Sequence, residues 1–277
     1  MKDKQPLNQF NRLEYLIGKD NVNLLKSKKI LIVGLGGVGG FATEALARSG
    51  IGNITLVDYD TVDITNLNRQ IIALNSTVGR KKVEVFKERI KDINKECNVN
   101  VYDLFLDSNN YSEIITNDYD FVIDCCDSIE AKKILLLESY KKNIAYIGSM
   151  GTANKMDPSL LEITDIKKTV NDPLARIMRK FVKENNLSKK IMVVSSKELP
   201  KKNGSKLGSN AFVPSSAGLL IASFVIRNLI DKENSWLSLS TIFFIFINYL
   251  IIFYDVIIII NRMEEVRWKN LLKRIKN

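Results

Sequence analysis

The chain has 277 residues, 45% hydrophobic and 26% charged, which suffices for one large domain or two small ones and excludes disorder for most of its length. It contains no histidine, so imidazole acid–base chemistry, imidazole-dependent serine or cysteine triads and histidine-containing metal sites are excluded. With 41 Lys and Arg against 31 Asp and Glu the net charge is +10, which favours an anionic partner: a nucleotide, a nucleic acid or an anionic membrane.

The segment 1–28 is polar and charged, with no apolar run of the kind a secretory signal needs, and is expected to be helical. Three cysteines, Cys97, Cys125 and Cys126, are too few for a disulfide framework or a four-thiolate zinc site, and point to a reduced, cytoplasmic chain. From Lys29 short β-branched runs alternate with longer amphipathic ones. Strands are expected at Ile30–Val33, Ile54–Asp58, Val99–Leu104, Phe121–Asp124 and Ile144–Ile147, and helices at Val38–Ser49, Arg80–Asn94 and Ile129–Lys141. Parallel strands need crossover connections, so this alternation predicts an α/β fold, a doubly wound and mainly parallel sheet over 29–230.

Beyond Ile147 the texture changes, and residues 151–210 hold 13 Lys or Arg against 6 Asp or Glu, which places +7 of the net charge in one basic excursion. An apolar helix at Ser215–Ile230 is then expected to return to the sheet, with Gly218 permitting close approach. The extension 231–277 differs again. Its Trp236–Tyr254 run is 19 residues without a charge, and the stretch 236–260 meets the length criterion for a membrane span. A buried β-rich extension and a tail with no role are the other readings. A simple span would place a tail of six Lys or Arg and two Glu outside, against the positive-inside tendency.

Chemistry concentrates where the first strand runs into Gly34-Leu-Gly36-Gly37-Val-Gly39 and a helix. Such glycines allow a tight turn and let backbone N–H groups approach phosphate at a helix N-terminus. Asp58, 24 residues after Gly34, ends the next strand, where a carboxylate accepts hydrogen bonds from a ribose. The chain then carries Asn66-Leu-Asn-Arg69-Gln70 and Arg80-Lys-Lys82, more cation than a dinucleotide requires. Arg69 and Lys82 are suited to a triphosphate, and Asp127, just past a strand end, to its Mg²⁺.

Taken together, Gly34–Gly39, Leu56-Val-Asp-Tyr-Asp60, Asn66–Gln70 and Ile123-Asp-Cys-Cys-Asp-Ser128 resemble the ubiquitin-activating-enzyme-like adenylating family, which includes the sulfur-carrier adenylyltransferases. Gly148–Pro158, Ile163–Thr169, Asn171–Arg176 and Phe212–Gly218 are similar to the tRNA threonylcarbamoyladenosine dehydratases within it, and the resemblance runs from about Phe10 to about Ile230. It implies ATP-dependent cyclisation of the threonylcarbamoyl group of a tRNA adenosine through an acyl-adenylate. It also implies Gly36 and Gly37 at the phosphates, Asp58 at the ribose, Asn66, Arg69 and Lys82 around the triphosphate, and Asp127 at Mg²⁺. Arg12 matches an arginine that reaches the partner subunit's ATP in relatives, which implies a homodimer.

The paired Cys-x-x-Cys motifs of many sulfur-carrier adenylyltransferases are missing, so no structural zinc is expected, and Cys125 and Cys126 are expected to pack rather than react. The basic excursion is the expected tRNA-docking surface, through Lys167, Lys168, Arg176, Arg179 and Lys180, with Lys189, Lys190, Lys201, Lys202 and Lys206 alongside. The competing functions are activation of a ubiquitin-like sulfur-carrier protein, with a sulfur-transfer partner, and a non-catalytic nucleotide-binding scaffold held at a membrane through 236–260. A dehydrogenase is disfavoured by Arg69, Lys82 and Asp127.

Overall fold

The computed structural model describes residues 7–201 and 204–231; Lys202, the 236–260 run and the basic tail lie outside them. Two short helices, α1 (Asn11–Ile17) and α2 (Lys19–Ser27), precede the sheet. The strands are β1 (Lys29–Val33), β2 (Asn53–Val57), β3 (Asn98–Tyr102), β4 (Phe121–Asp124), β5 (Ala145–Ser149), β6 (Leu161–Asp165) and β7 (Met192–Ser196). The helices between them are α3 (Gly39–Arg48), α4 (Lys82–Ile93), α5 (Tyr111–Ile114), α6 (Ile129–Lys141) and α7 (Pro173–Glu184), and α8 (Phe212–Asp231) follows. The expected boundaries match at β4 and α6 and otherwise differ by at most two residues, except that α8 begins three residues before the expected Ser215.

The strand order is β3-β2-β1-β4-β5-β7-β6, and every pairing is parallel except β6 with β7. β1 reads Lys-Ile-Leu-Ile-Val without polar alternation because both of its faces are covered. Ile30 and Ile32 face a core shared with α3, α4 and α8, whereas Leu31 and Val33 face one shared with α5 and α6. A third core packs α7 on Val193 and Met150.

The basic stretch 151–210 leaves the simple β–α alternation, and it also returns to the sheet twice, as the antiparallel edge strand β6 and as β7 beside β5. Neither strand stands out in the sequence, because their residues lie among lysines and β6 is only half-buried along its length.

Helix α8 is long and apolar enough to cross a membrane by length and composition. However, Ala217, Ile221, Val225 and Leu229, spaced four apart, together with Ala222, bury against the sheet, as an amphipathic core helix does. At Gly218 a Cβ would stand 2.3 Å from the Val38 carbonyl and 2.9 Å from the Ala42 nitrogen, so this glycine sets how closely α8 meets the start of α3.

Candidate active site

The chain order changes direction between β1 and β4, and a crevice opens outside the carboxyl ends of strands at such a switch point. A cleft of about 390 Å³ lies there. Val33, Gly34, Gly36, Gly37, Asp58, Asn66, Arg69, Lys82 and Asp127 line it, so eight residues singled out from sequence converge from five separate stretches of chain. Gly39 and Arg12 do not line it.

Gly34 has φ +88°, and a Cβ there would overlap the Cys125–Cys126 peptide of the neighbouring strand end, with 2.6 Å to the Cys126 nitrogen. Gly39 is a packing glycine: it starts α3, and a Cβ would fall 1.8 Å from the Gly34 carbonyl. α3 has no side-chain cap, so its first N–H groups are left for another acceptor, the usual arrangement where a helix start meets a phosphate.

Asp58 is buried at the end of β2. One carboxylate oxygen accepts from the Leu35 N–H at 2.6 Å and the other from the Asp60 N–H at 2.8 Å, so Asp58 braces the glycine loop. Burial pushes its carboxyl up, against the pull of Lys82 and these two N–H groups. Lys82, also buried, donates to Asp60 Oδ2 at 2.6 Å and lies 4.0 Å from Asp58. Asn66 closes a reciprocal cap with Asp63, and the Arg69 guanidinium donates to the Thr65 carbonyl and the Asn68 side chain, each at 2.9 Å. Both are thus held at the cleft by local turn geometry.

Asp127 stands exposed in the turn between β4 and α6. Among the described residues no three Cys, Asp or Glu cluster to hold a metal. That donor set fits a cation carried by one carboxylate and substrate phosphates, which is how Mg²⁺ is commonly held.

Behind Asp127 lies a charged network that the sequence reading missed. Asp124 and Lys132 are both fully buried and 2.9 Å apart; Tyr146 donates to Asp124 at 2.7 Å, and Lys132 to the Ser149 carbonyl at 2.8 Å. Burial alone would lower the Lys132 ammonium pKa, but the Asp124 carboxylate outweighs it and raises it. The signal was present: Lys132 shares the inward face of α6 with Ala131, Leu135 and Leu136. The same surroundings disfavour the thiolate forms, since burial pushes Cys125 up to about 12, and burial with the nearby Asp124 pushes Cys126 well above its usual value. Asp60 and Gln70, also at the cleft, were not singled out either.

The basic residues divide. Lys167, Lys168, Arg176 and Lys180 are exposed, the last paired with Glu184 at 3.6 Å. Arg179 is half-buried and donates to the Thr169 carbonyl at 2.8 Å, tying α7 to the turn before it. A second concavity of about 470 Å³ brings Lys167 and Arg179 together with Lys183, Asn186 and Ser188.

The ThiF family model matches residues 10–240. The chain is 43% identical over 242 residues to the tRNA threonylcarbamoyladenosine dehydratase of Bacillus subtilis, covering 81% of this chain and 95% of that one. It is 41% identical over 177 residues to the enzyme of that name from Escherichia coli, covering 64% and 66%. The crystal structure of E. coli tRNA N6-threonylcarbamoyladenosine dehydratase in complex with ATP superposes with a TM-score of 0.78 at 35% identity, over 82% of this chain and 96% of that one. The chain belongs to the ThiF family and, within it, to the tRNA threonylcarbamoyladenosine dehydratases.

Proposed function

We propose that the protein cyclises the threonylcarbamoyl group of a tRNA adenosine at the expense of ATP. The observation that carries this reading is the convergence of Gly34, Gly36, Gly37, Asp58, Asn66, Arg69, Lys82 and Asp127 on one cleft at the switch point of the sheet. The family supplies the substrate.

In this reading the substrate carboxylate attacks the α-phosphorus of ATP, the bond from that phosphorus to the bridging oxygen breaks, and pyrophosphate leaves. A ureido oxygen or nitrogen then attacks the activated carbonyl, the bond to the adenylate oxygen breaks, AMP leaves and a ureido proton passes to water. The substrate supplies both nucleophile and electrophile, which suits a chain without histidine. The protein supplies orientation and fixed positive charge. Gly36, Gly37 and the open start of α3 receive phosphate, Asp58 holds the ribose, and Asn66, Arg69 and Lys82 face the charge that builds on the phosphates. Asp127 would hold Mg²⁺, which offsets phosphate charge when bound.

Arg12 lies on α1, a helix with no buried residue, on which Tyr15 and Leu16 are 75% and 80% exposed. These exposed apolar side chains and the position of Arg12 outside its own cleft support a homodimer in which Arg12 serves the other copy's nucleotide. Lys167, Lys168, Arg176, Arg179 and Lys180 are assigned to tRNA phosphates, with the concavity at Lys167 and Arg179 as the focus. Three unpaired cysteines and a tRNA substrate suit the cytoplasm.

The test is incubation with ATP, Mg²⁺ and tRNA bearing threonylcarbamoyladenosine, followed by digestion and mass spectrometry of the nucleoside. Loss of one water with release of AMP is expected. An unchanged mass beside an active control enzyme, or AMP transferred to a carrier protein's C-terminus, would overturn the proposal.

A further inference from the structure

Part of the cleft lining has a different chemistry and forms a wall of its own: Thr152, Ala153, Leu207, Gly208 and Ser209. It has no charged side chain: beside the exposed Leu207 it offers small side chains, two hydroxyls and backbone amides. It consists of two loop segments bound to each other. The Asn154 N–H donates to the Gly208 carbonyl at 2.9 Å, and the Gly208 N–H returns to the Asn154 side chain at 2.7 Å. The Asn210 side chain donates to the Lys155 carbonyl at 2.7 Å, and that of Asn68, from the phosphate-binding motif, to the Ser209 carbonyl at 3.0 Å.

This wall is anchored by a second buried ion pair, separate from Asp124 and Lys132. Lys155 and Asp172 side chains are each 1% exposed, with Nζ 3.6 Å from Oδ2. Lys155 also donates to the Gly151 carbonyl at 2.9 Å, and Asp172 accepts from the Gly151 N–H at 2.8 Å while capping α7 through the Ala175 N–H at 3.0 Å. One residue of loop, Gly151, is therefore gripped at both its N–H and its carbonyl. Burying such a pair is costly, and its best-attested benefit is to select one arrangement of the chain. Here the arrangement selected is that of Thr152 and Ala153, immediately next in sequence.

We infer that the wall formed by residues 151–155 and 207–210 is the subsite for the ureido and hydroxyl part of the threonylcarbamoyl side chain, with Lys155 and Asp172 as positioning residues that fix it. The inference rests on the proposed function. The chemistry divides accordingly: Arg69 and Lys82 take the anionic end of the cleft, whereas a neutral ureido group bearing a hydroxyl needs donors and acceptors without net charge. The substrate carboxylate then points from the wall toward the α-phosphate, and its ureido group lies back against residues that hold it within reach of the activated carbonyl.

Full-length Lys155→Met and Asn154→Gly variants test this against the wild type, with modified tRNA and ATP varied separately. Asn154 has φ +60°, so glycine keeps the backbone while deleting the side chain that holds Gly208. KM for modified tRNA is expected to rise about tenfold in each, with KM for ATP changed less than about twofold. Equal rises in both constants, or no change in either, would overturn the assignment of the wall. If Lys155→Met does not fold, Asn154→Gly decides alone. A wild type that removes no water would instead overturn the dehydratase reading, so the two failures are distinguishable.

Discussion

The glycine-loop end of the cleft is made by one continuous run of chain, Ile30–Gly39, in which strand, turn and helix start follow directly. The wall of 151–155 and 207–210 joins Asn154 to Gly208 across 54 positions and depends on Lys155 and Asp172 meeting in the interior. A phosphate is satisfied by backbone N–H groups and a few cations, which local conformation can present. The ureido and hydroxyl part of the substrate has no charge to attract it and must be met by groups placed by tertiary packing. The contrast teaches that a fold can keep its nucleotide end unchanged while altering what reacts there through the loops beyond β5.

The comparison breaks most visibly if the charged end is not catalytic. Arg69→Ala and Asp127→Asn should each lower kcat about 10²- to 10³-fold, read as AMP release, while circular dichroism stays native. A loss below tenfold would remove these residues from the chemistry. Next in size is packing: Gly218→Ala places a methyl 2.3 Å from the Val38 carbonyl and should cost about 1–3 kcal/mol, measured from the urea midpoint. An unshifted midpoint would mean that α8 does not set the position of α3.

A smaller effect tests the tRNA surface. Lys167→Glu with Lys168→Glu should weaken tRNA binding and reduce the slope of log affinity against log salt by about 1–2, with nucleotide binding unchanged. An identical slope would take this turn off the RNA-binding surface. The smallest concerns Glu44, which bridges Arg48 on its own helix and Arg89 on α4. Burial raises its carboxyl pKa, but the two guanidiniums outweigh this and the net shift is downward. The folded protein therefore favours the ionised form, and the stability gained is present at neutral pH and lost as pH falls through the lowered value. Glu44→Gln should cost about 1 kcal/mol at pH 7, with the difference closing below pH about 4, measured as Tm against pH.

Much of the nucleotide end was legible because its signals are local. Ile30–Val33 announces a strand, Gly34 to Gly39 a tight turn open to phosphate, and Asn66 to Gln70 a run that offers Arg69 to a triphosphate. Less legible were groups whose role depends on distant partners. Arg179 reads as one of the tRNA-docking cations, yet one of its guanidinium nitrogens is committed to Thr169. Asp58 reads as a ribose ligand, yet it also clamps Leu35. Lys132 reads as a surface lysine until α6 is turned so that it meets Asp124.

By itself the sequence determined the order of elements, the parallel sheet and the chemical nature of the phosphate end, because strand alternation, helix period and glycine turns are set within a few residues. Tertiary structure decided that β6 and β7 complete the sheet, that Lys132 meets Asp124 in the interior, and that Thr152 and Ala153 line the nucleotide cleft. Those depend on which surfaces meet, and burial of a pair such as Lys155 and Asp172 is settled only when chain segments far apart are packed together.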